Sequence, residues 1–124
     1  MAAKAPIKWA PDRGEIIYLN HSPHVDKEMP GLHPLLVCSP RPFNERTGIV
    51  IGFPMTHAAF NADNPFAVAV QGPKGEVAYV LAFQPKSFDW MERGATRHPW
   101  GGGHGEVLDA VLTTLDAICG ICER

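Results

Sequence analysis

The sequence predicts a mainly β domain of the α+β class, in which a strongly curved antiparallel sheet carries a short helix and a C-terminal amphipathic helix. Apolar runs of strand length, separated by Gly, Pro and polar residues, dominate the first two-thirds of the chain. Residues 72–75 read Gly-Pro-Lys-Gly, which is typical of a tight hairpin turn. Apolar residues at helical spacing follow near the C-terminus. These patterns favour a sheet of about five to seven strands and one terminal helix.

The strands are expected where apolar residues form continuous or alternating runs of strand length. They cover residues 15–20, 34–39, 47–55, 66–71 and 77–83. The polar loop 21–33, which contains Pro23, Pro30 and Gly31, separates the first two strands. A connection of that length in a compact domain is more often functional than idle.

Helical structure is expected after the second strand, after the last strand and at the C-terminus. Residues 40–46 are predicted to form a turn or short helix, and residues 87–93 a short helical turn. Positions 107, 108, 111, 112, 115 and 118 are apolar and follow helical spacing after the glycines at 101–103. This predicts an amphipathic helix that covers apolar surface at an open end of the sheet.

Length and composition indicate one domain spanning residues 1–124, with a core over about residues 12–120. A hydrophobic content of 45% with 19% charged residues is ordinary for a globular protein and excludes a disordered chain. No apolar run approaches the ~20 residues that cross a bilayer. Lysines and prolines interrupt the N-terminal segment, where a signal peptide would be apolar. No membrane association and a cytoplasmic location are therefore expected.

The charge balance narrows the possible partners. A net charge of −2 is unlike that of a protein that coats nucleic acid nonspecifically. A small RNA-cleaving enzyme needs only a local positive groove, for which Lys86, Arg93 and Arg97 are candidates in one segment. A scattered solvated face is the alternative interpretation of these charges.

Cys119 and Cys122 form a C-x-x-C pair near the C-terminus. A zinc site needs four ligands, and no second close pair of Cys or His accompanies this one at finger-like spacing. On a helix both thiols would share one face, which favours packing over metal or redox chemistry. No metal and no cofactor are expected.

Two of the strand-like runs each carry a polar side chain capable of catalysis at one end. His33 precedes the run that begins at Pro34, and Thr56 follows the run that ends at Met55. If these two runs pair, both side chains can reach one cleft.

Several motifs in order resemble the MazF/PemK-like toxins, and the resemblance covers roughly residues 12 to 120. The motifs are Gly-Glu-Ile-Ile-Tyr at 14–18, Gly-Leu-His-Pro at 31–34, Asn-Glu-Arg-Thr-Gly at 44–48, Pro-Met-Thr at 54–56 and Gln-Pro-Lys-Ser-Phe-Asp-Trp at 84–90. The resemblance implies an SH3-like small barrel that forms homodimers. It also implies a sequence-specific, metal-independent endoribonuclease toxin of a type II toxin–antitoxin system, inhibited by a MazE/PemI-like antitoxin peptide.

The resemblance also assigns site residues. In MazF-like members an arginine in G-x-R-P and a threonine in P-x-T hold the scissile phosphate of single-stranded RNA, and the 2′-hydroxyl attacks that phosphate. Here His33 stands at the arginine and Thr56 at the threonine, while Glu28 matches the acidic residue that begins the loop motif. An imidazole titrates near ~6.5 and can act as base or acid, whereas arginine is the stronger phosphate clamp. His33 is therefore a catalytic candidate, or else only a loop cap in an inactive, re-purposed descendant.

A second departure concerns the PemK-like branch, in which an arginine and an aspartate just before Q-P carry acid and base roles. Leu81 and Phe83 occupy those positions here and cannot move protons, so that mechanism does not transfer. Phe83 is a candidate to stack on an RNA base, with a core position as the alternative. Lys86 is a further RNA-binding candidate.

Other histidines offer a second proton-transfer group. His57 directly follows Thr56 and is the candidate, although neighbours in an extended chain point to opposite faces. His21 and His24 share the long loop with His33, and no role is assigned to them. His98 and His104 flank the glycine run and are expected in solvent.

Two classes of function remain open at this point. The first is the endoribonuclease acting through His33 and Thr56. The second is a CcdB-like toxin of the same fold, which binds gyrase without chemistry, or a degenerate binding module. Loss of the family arginine fits the second class, and retention of Thr56 fits the first.

Overall fold

The structure is a computed structural model that describes residues 9–21 and 32–123. These residues form an antiparallel sheet, two α-helices and two short 3₁₀ turns. The elements are β1 (Ile16–Asn20), β2 (Leu32–Val37), α1 (Arg41–Thr47), β3 (Ile49–Thr56), a 3₁₀ turn (Ala59–Asp63), β4 (Ala67–Gln71), β5 (Val77–Leu81), β6 (Lys86–Asp89), β7 (Thr96–Arg97), α2 (Gly105–Cys119) and a second 3₁₀ turn (Ile121–Glu123). The mainly β prediction with a short and a C-terminal helix is confirmed. Most of the long loop, with Glu28 and His24, lies outside the described residues.

Strand β3 organises the sheet because it pairs with three other strands. Its first half pairs with β6, its middle with β2, and its end with β5. The strand order is β4-β5-β3-β2-β1-β7, and all pairs are antiparallel. The described pairings do not join β4 to β7, so closure into an SH3-like barrel stays a prediction.

Alternating side chains of the strands build two apolar clusters, one on each face of the sheet. Ile16 and Leu36 face the first cluster, in which Leu108 and Val111 of α2 are also buried. Ile17 and Leu35 face the second cluster, which is completed by residues such as Trp90. The predicted amphipathic helix α2 is present, and it covers one face of the sheet rather than an open end. No helix within the described segments is long and apolar enough to cross a membrane.

Helix α1 is anchored by the buried side chain of Asn44. Its Nδ2 donates to the carbonyls of Pro11 (2.8 Å) and Ser39 (2.9 Å), and its Oδ1 accepts from the Ser39 hydroxyl (2.5 Å). The Asn44 carbonyl accepts a hydrogen bond from Trp90 Nε1 (2.8 Å). The helix ends at Gly48, whose φ of 73° lies in the left-handed region that favours glycine. The Asn-x-x-Thr-Gly motif thus ties α1 to the N-terminal segment and to Trp90, which directly follows β6.

Two local predictions are wrong. Residues 87–93 do not begin as a helical turn, because Lys86–Asp89 is strand β6, paired with β3, and Phe88 is buried. A turn follows, and the Asp89 carboxylate accepts the backbone N–H of Glu92 at 3.0 Å. Cys119 and Cys122 are both exposed rather than packed, since α2 ends at Gly120 between them.

Candidate active site

Three predicted catalytic residues, His33, Thr56 and His57, line one open cavity of about 420 Å³. The pairing of β2 with β3 explains why these side chains lie at one cavity. Strands β2 and β3 pair Leu35 with Pro54, and His33 and Thr56 each lie two residues beyond that pair, at the same end of the two strands. The prediction that the two runs pair and carry these side chains to one cleft is confirmed. His33 lies within β2 rather than before it, because that strand begins at Leu32.

Thr56 ends β3 at the point where the chain turns away from the sheet. Its hydroxyl oxygen accepts the backbone N–H of Ala58 at 3.1 Å. An accepting hydroxyl still has its own hydrogen to donate. Thr56 can therefore present an O–H donor to a ligand in the cavity.

His57 is exposed at the rim of the cavity. Its Nδ1 lies 3.2 Å from the carbonyl oxygen of Val77. A carbonyl only accepts, so this contact places the ring proton on Nδ1. In the neutral ring the lone pair then lies on Nε2, where it can take a proton.

His33 is backed by a second imidazole. The His21 ring lies 5.4 Å from the His33 ring and 4.8 Å from that of Phe88. The guanidinium of Arg93 lies 4.8 Å from the same Phe88 ring. Histidine and arginine side chains thus gather beside the end of β2.

Burial is the main reason that the pKa of His21 falls from its usual value near 6.5 to about 4. The nearby charges of His33, Lys86 and Arg93 lower it further. The unfolded chain therefore binds more protons than the folded protein between these two pH values. Acidification from pH 6.5 to pH 4 therefore lowers the free energy of unfolding. Above pH 6.5 the lowered pKa of His21 does not change it.

His98 and Tyr18 also line the cavity, and the sequence analysis assigned neither to the site. His98 is only 8% exposed, so its expected position in solvent is wrong. The cause is strand β7, which pairs Tyr18 with Thr96 and so brings the following residues over β1. A strand of two residues leaves no periodic pattern that could have revealed this pairing.

The remaining predicted RNA-binding residues lie outside the cavity or outside the described segments. Phe83 is 41% exposed in the turn after β5, so it is not a core residue, and its ring packs edge-on against Phe66. Lys86 is exposed at the start of β6. Glu28 is not among the described residues.

The lining of the cavity suits a ligand in which an anionic group lies beside a flat, uncharged ring. Of the residues described, none with a carboxylate lines it, and its polar groups are imidazoles and hydroxyls. Leu32, Pro34, Met55 and Ala58 supply apolar walls. Nor does the described part of the chain gather three side chains of His, Cys, Asp or Glu in a metal-binding arrangement. This arrangement can hold a phosphate near an N–H or O–H donor and can accept a proton beside it.

Known proteins are similar to this chain in sequence and in fold. A model of the PemK-like, MazF-like toxins of type II toxin–antitoxin systems matches residues 12–119. The endoribonuclease toxin MazF of Escherichia coli K12 is 33% identical over 113 residues, which are 91% of this chain and 97% of that protein.

Solved structures of MazF proteins are also similar to this chain. MazF from Deinococcus radiodurans matches with a TM-score of 0.77 at 32% identity, covering 91% of this chain and 99% of that one. A MazE–MazF structure from the same organism matches with a TM-score of 0.74 at 30% identity, over 90% and 97% of the two chains. By sequence and by fold, this chain belongs to the MazF/PemK-like toxin family of type II toxin–antitoxin systems.

Proposed function

We propose that this toxin is a metal-independent endoribonuclease that cuts single-stranded mRNA at specific sequences in the cytoplasm, where its substrate is. The observation that carries the proposal is the convergence of His33, Thr56 and His57 on one cavity with no acidic lining among the described residues. The endoribonuclease activity named for the Escherichia coli relative supports it.

The scissile phosphate binds between His33 and Thr56. The Thr56 hydroxyl donates its hydrogen to a non-bridging phosphate oxygen while it accepts the N–H of Ala58. His33 supplies an imidazole N–H in place of the family arginine. Donors held in place before reaction stabilise the extra negative charge of the phosphorane.

His57 acts as the base. Its Nε2 removes the proton of the 2′-hydroxyl, whose oxygen then forms a bond to phosphorus as the bond to the 5′-oxygen breaks. Protonated His33 delivers a proton to that leaving oxygen. The products are a 2′,3′-cyclic phosphate and a free 5′-hydroxyl. Each positioned proton transfer contributes typically ~10²–10⁴ in rate.

Residues beyond the cavity extend the RNA-binding surface. Lys86 adds positive charge beside the histidines, and the exposed ring of Phe83 is available for base stacking, worth about 1–3 kcal/mol per base. Glu28 belongs to the loop motif before β2 and completes this set.

Two partners follow from family membership. We propose that a MazE/PemI-like antitoxin peptide inhibits this chain, as the complexes of Deinococcus radiodurans MazF with MazE suggest for the family. The chain also forms a homodimer of SH3-like barrels. The large exposed apolar side chains of Phe60 and Phe66 support a surface that a second copy covers.

The test is cleavage of a long RNA by the purified protein in the presence of a chelator. We expect cleavage with cyclic-phosphate ends. His33→Ala should lower the rate by at least about 100-fold, and Thr56→Val, which keeps the shape but removes the hydroxyl, by roughly 10²–10³. Thr56→Ser retains the hydroxyl and should stay within about tenfold of the wild type.

Thr113→Val is a matched control, because that hydroxyl is bonded within α2 to the Asp109 carbonyl, away from the cavity. Unchanged cleavage in both His33→Ala and Thr56→Val would remove these residues from the site. Absence of cleavage by the wild type would instead favour a CcdB-like gyrase-binding toxin or an inactive binding module.

A further inference from the structure

The orientation of the His98 ring is fixed by its neighbours. Its Nδ1 accepts the backbone N–H of Trp100 at 3.0 Å. An acceptor nitrogen carries no hydrogen, so the ring proton of His98 lies on Nε2. The Tyr18 ring lies 4.5 Å from the His98 ring at a tilt of 40° and supports one side of it. The two bond directions of this imidazole are thus assigned before any ligand binds.

The Nε2–H of His98 is a donor in need of an acceptor. Nε2 is separated from Nδ1 by one ring carbon, and no hydrogen bond to it is formed by any side chain or carbonyl in residues 9–21 and 32–123. The ring lines the same cavity as His33 and Thr56, and its surroundings there are largely apolar. Nε2 is accessible from the cavity, and a donor in such surroundings discriminates against ligands that leave it unpaired on binding.

An uncharged ring fits this donor better than a phosphate does. Burial lowers the pKa of His98, and the neighbouring imidazoles of His57 and His104 lower it further, which favours the neutral form of the ring. A phosphate prefers a charged, exposed partner. An aromatic ring, a neutral donor and apolar walls are instead the usual components of a site for a flat heterocycle.

We propose that His98 is a specificity-determining residue, whose Nε2–H hydrogen-bonds an acceptor of the RNA base that lies beside the scissile phosphate. We place this donor opposite the edge that carries O4 of uracil or O6 of guanine, where it is left unpaired against the exocyclic amino group of cytosine or adenine. The inference rests on the proposed function, because it places one base of the RNA substrate in this cavity. It assigns a sequence preference to a residue that takes no part in bond cleavage.

Two substitutions separate base recognition from a merely structural role. His98→Gln carries an amide N–H where Nε2 was and loses the acceptor for Trp100. His98→Asn keeps an acceptor where Nδ1 was and loses the donor to the cavity. Cleavage of a random-sequence RNA pool, followed by sequencing of the cut ends, gives the base preference at each position.

We expect the wild type to favour uracil or guanine at one position next to the cut. His98→Asn should reduce that preference by roughly 10-fold to 100-fold, and His98→Gln should largely retain it. His104→Gln is the matched control, because His104 lies on the same loop and contacts the Trp100 carbonyl at 3.0 Å, outside the cavity lining. Its preference should equal that of the wild type.

A preference that is unchanged in His98→Asn overturns the proposal, as does a wild-type preference for cytosine or adenine at the positions flanking the cut. Loss of preference in His98→Gln alone would assign His98 to anchoring Trp100 instead. If the wild type cuts no RNA, the endoribonuclease assignment fails separately. Selection of bound sequences from an uncleavable 2′-deoxy pool then still tests base recognition with the same variants.

Discussion

Replacing Asn44 by alanine should cost this protein much of its folding free energy. The Asn44 side chain is 0% exposed. Its Nδ2 donates to the carbonyls of Pro11 and Ser39, and its Oδ1 accepts from the Ser39 hydroxyl. Each such bond contributes about 0.5–1.5 kcal/mol net, and the buried groups left without a partner add to the loss. The expected destabilisation is about 3–4 kcal/mol, a large part of the ~5–15 kcal/mol available to a domain.

The measurement is equilibrium unfolding in guanidinium chloride, followed by tryptophan fluorescence, to which Trp90 contributes; its indole N–H donates to the Asn44 carbonyl. A melting temperature lower by roughly 10–20 °C should accompany the change. Asn44→Asp should be worse than alanine, because it sets a buried carboxylate oxygen against two carbonyls.

Asn61→Ala is the matched control. Asn61 is also buried, but its side chain bonds only locally, with Nδ2 donating to the Ala58 carbonyl and Oδ1 accepting from Asn64 Nδ2, so about 1–2 kcal/mol is expected. The reasoning is refuted if Asn44→Ala loses less than the control, or if Asn44→Asp is the milder of the two Asn44 variants.

Other changes test the site and its frame. Because the pKa of His21 is lowered to about 4, the free energy of unfolding should fall as pH drops from 6.5 to 4. After allowance for the partial exposure of His21, the expected loss is about 1–2 kcal/mol. His21→Phe should remove that part of the pH dependence in unfolding titrations. An equal slope in the variant would contradict this. Gly72→Ala places a methyl group 2.4 Å from the Trp100 ring, so it should lower stability by about 1–3 kcal/mol and weaken RNA cleavage, measured by calorimetry and the cleavage assay. Gly52→Ala meets the backbone carbonyl of Leu36 at 2.4 Å and should reduce soluble yield and melting temperature; a wild-type melt would exclude the clash.

Local sequence patterns predicted most of the sheet because side-chain alternation and apolar runs record burial directly. The strands that contain Ile16 and Val50, and the helix that contains Leu108, each carry such a pattern, and each forms near its predicted position. Strand β6 was missed because Lys86–Asp89 buries only Phe88 and owes its extended form to pairing with β3.

Local patterns also reveal only some residues of the candidate site. His33 and Thr56 could be found because each stands beside an apolar run and within a family motif. Tyr18 and His98 could not, since they enter the cavity through the pairing of β1 with the two-residue strand β7, a contact between distant parts of the chain. Short-range patterns carry no information about such a contact.

The cavity is lined by residues that are far apart in the sequence, and this has a consequence for synthesis of the toxin. The cavity needs Tyr18 from near the beginning of the chain and His98 from well into its last third, together with the strand that follows α1. A ribosome that has translated only the first half has therefore not yet made all the residues that line the cavity, and a premature stop codon ahead of His98 removes part of that lining. If the proposed site is right, RNA cleavage begins only once nearly the whole polypeptide has been made, and no partly translated chain is active.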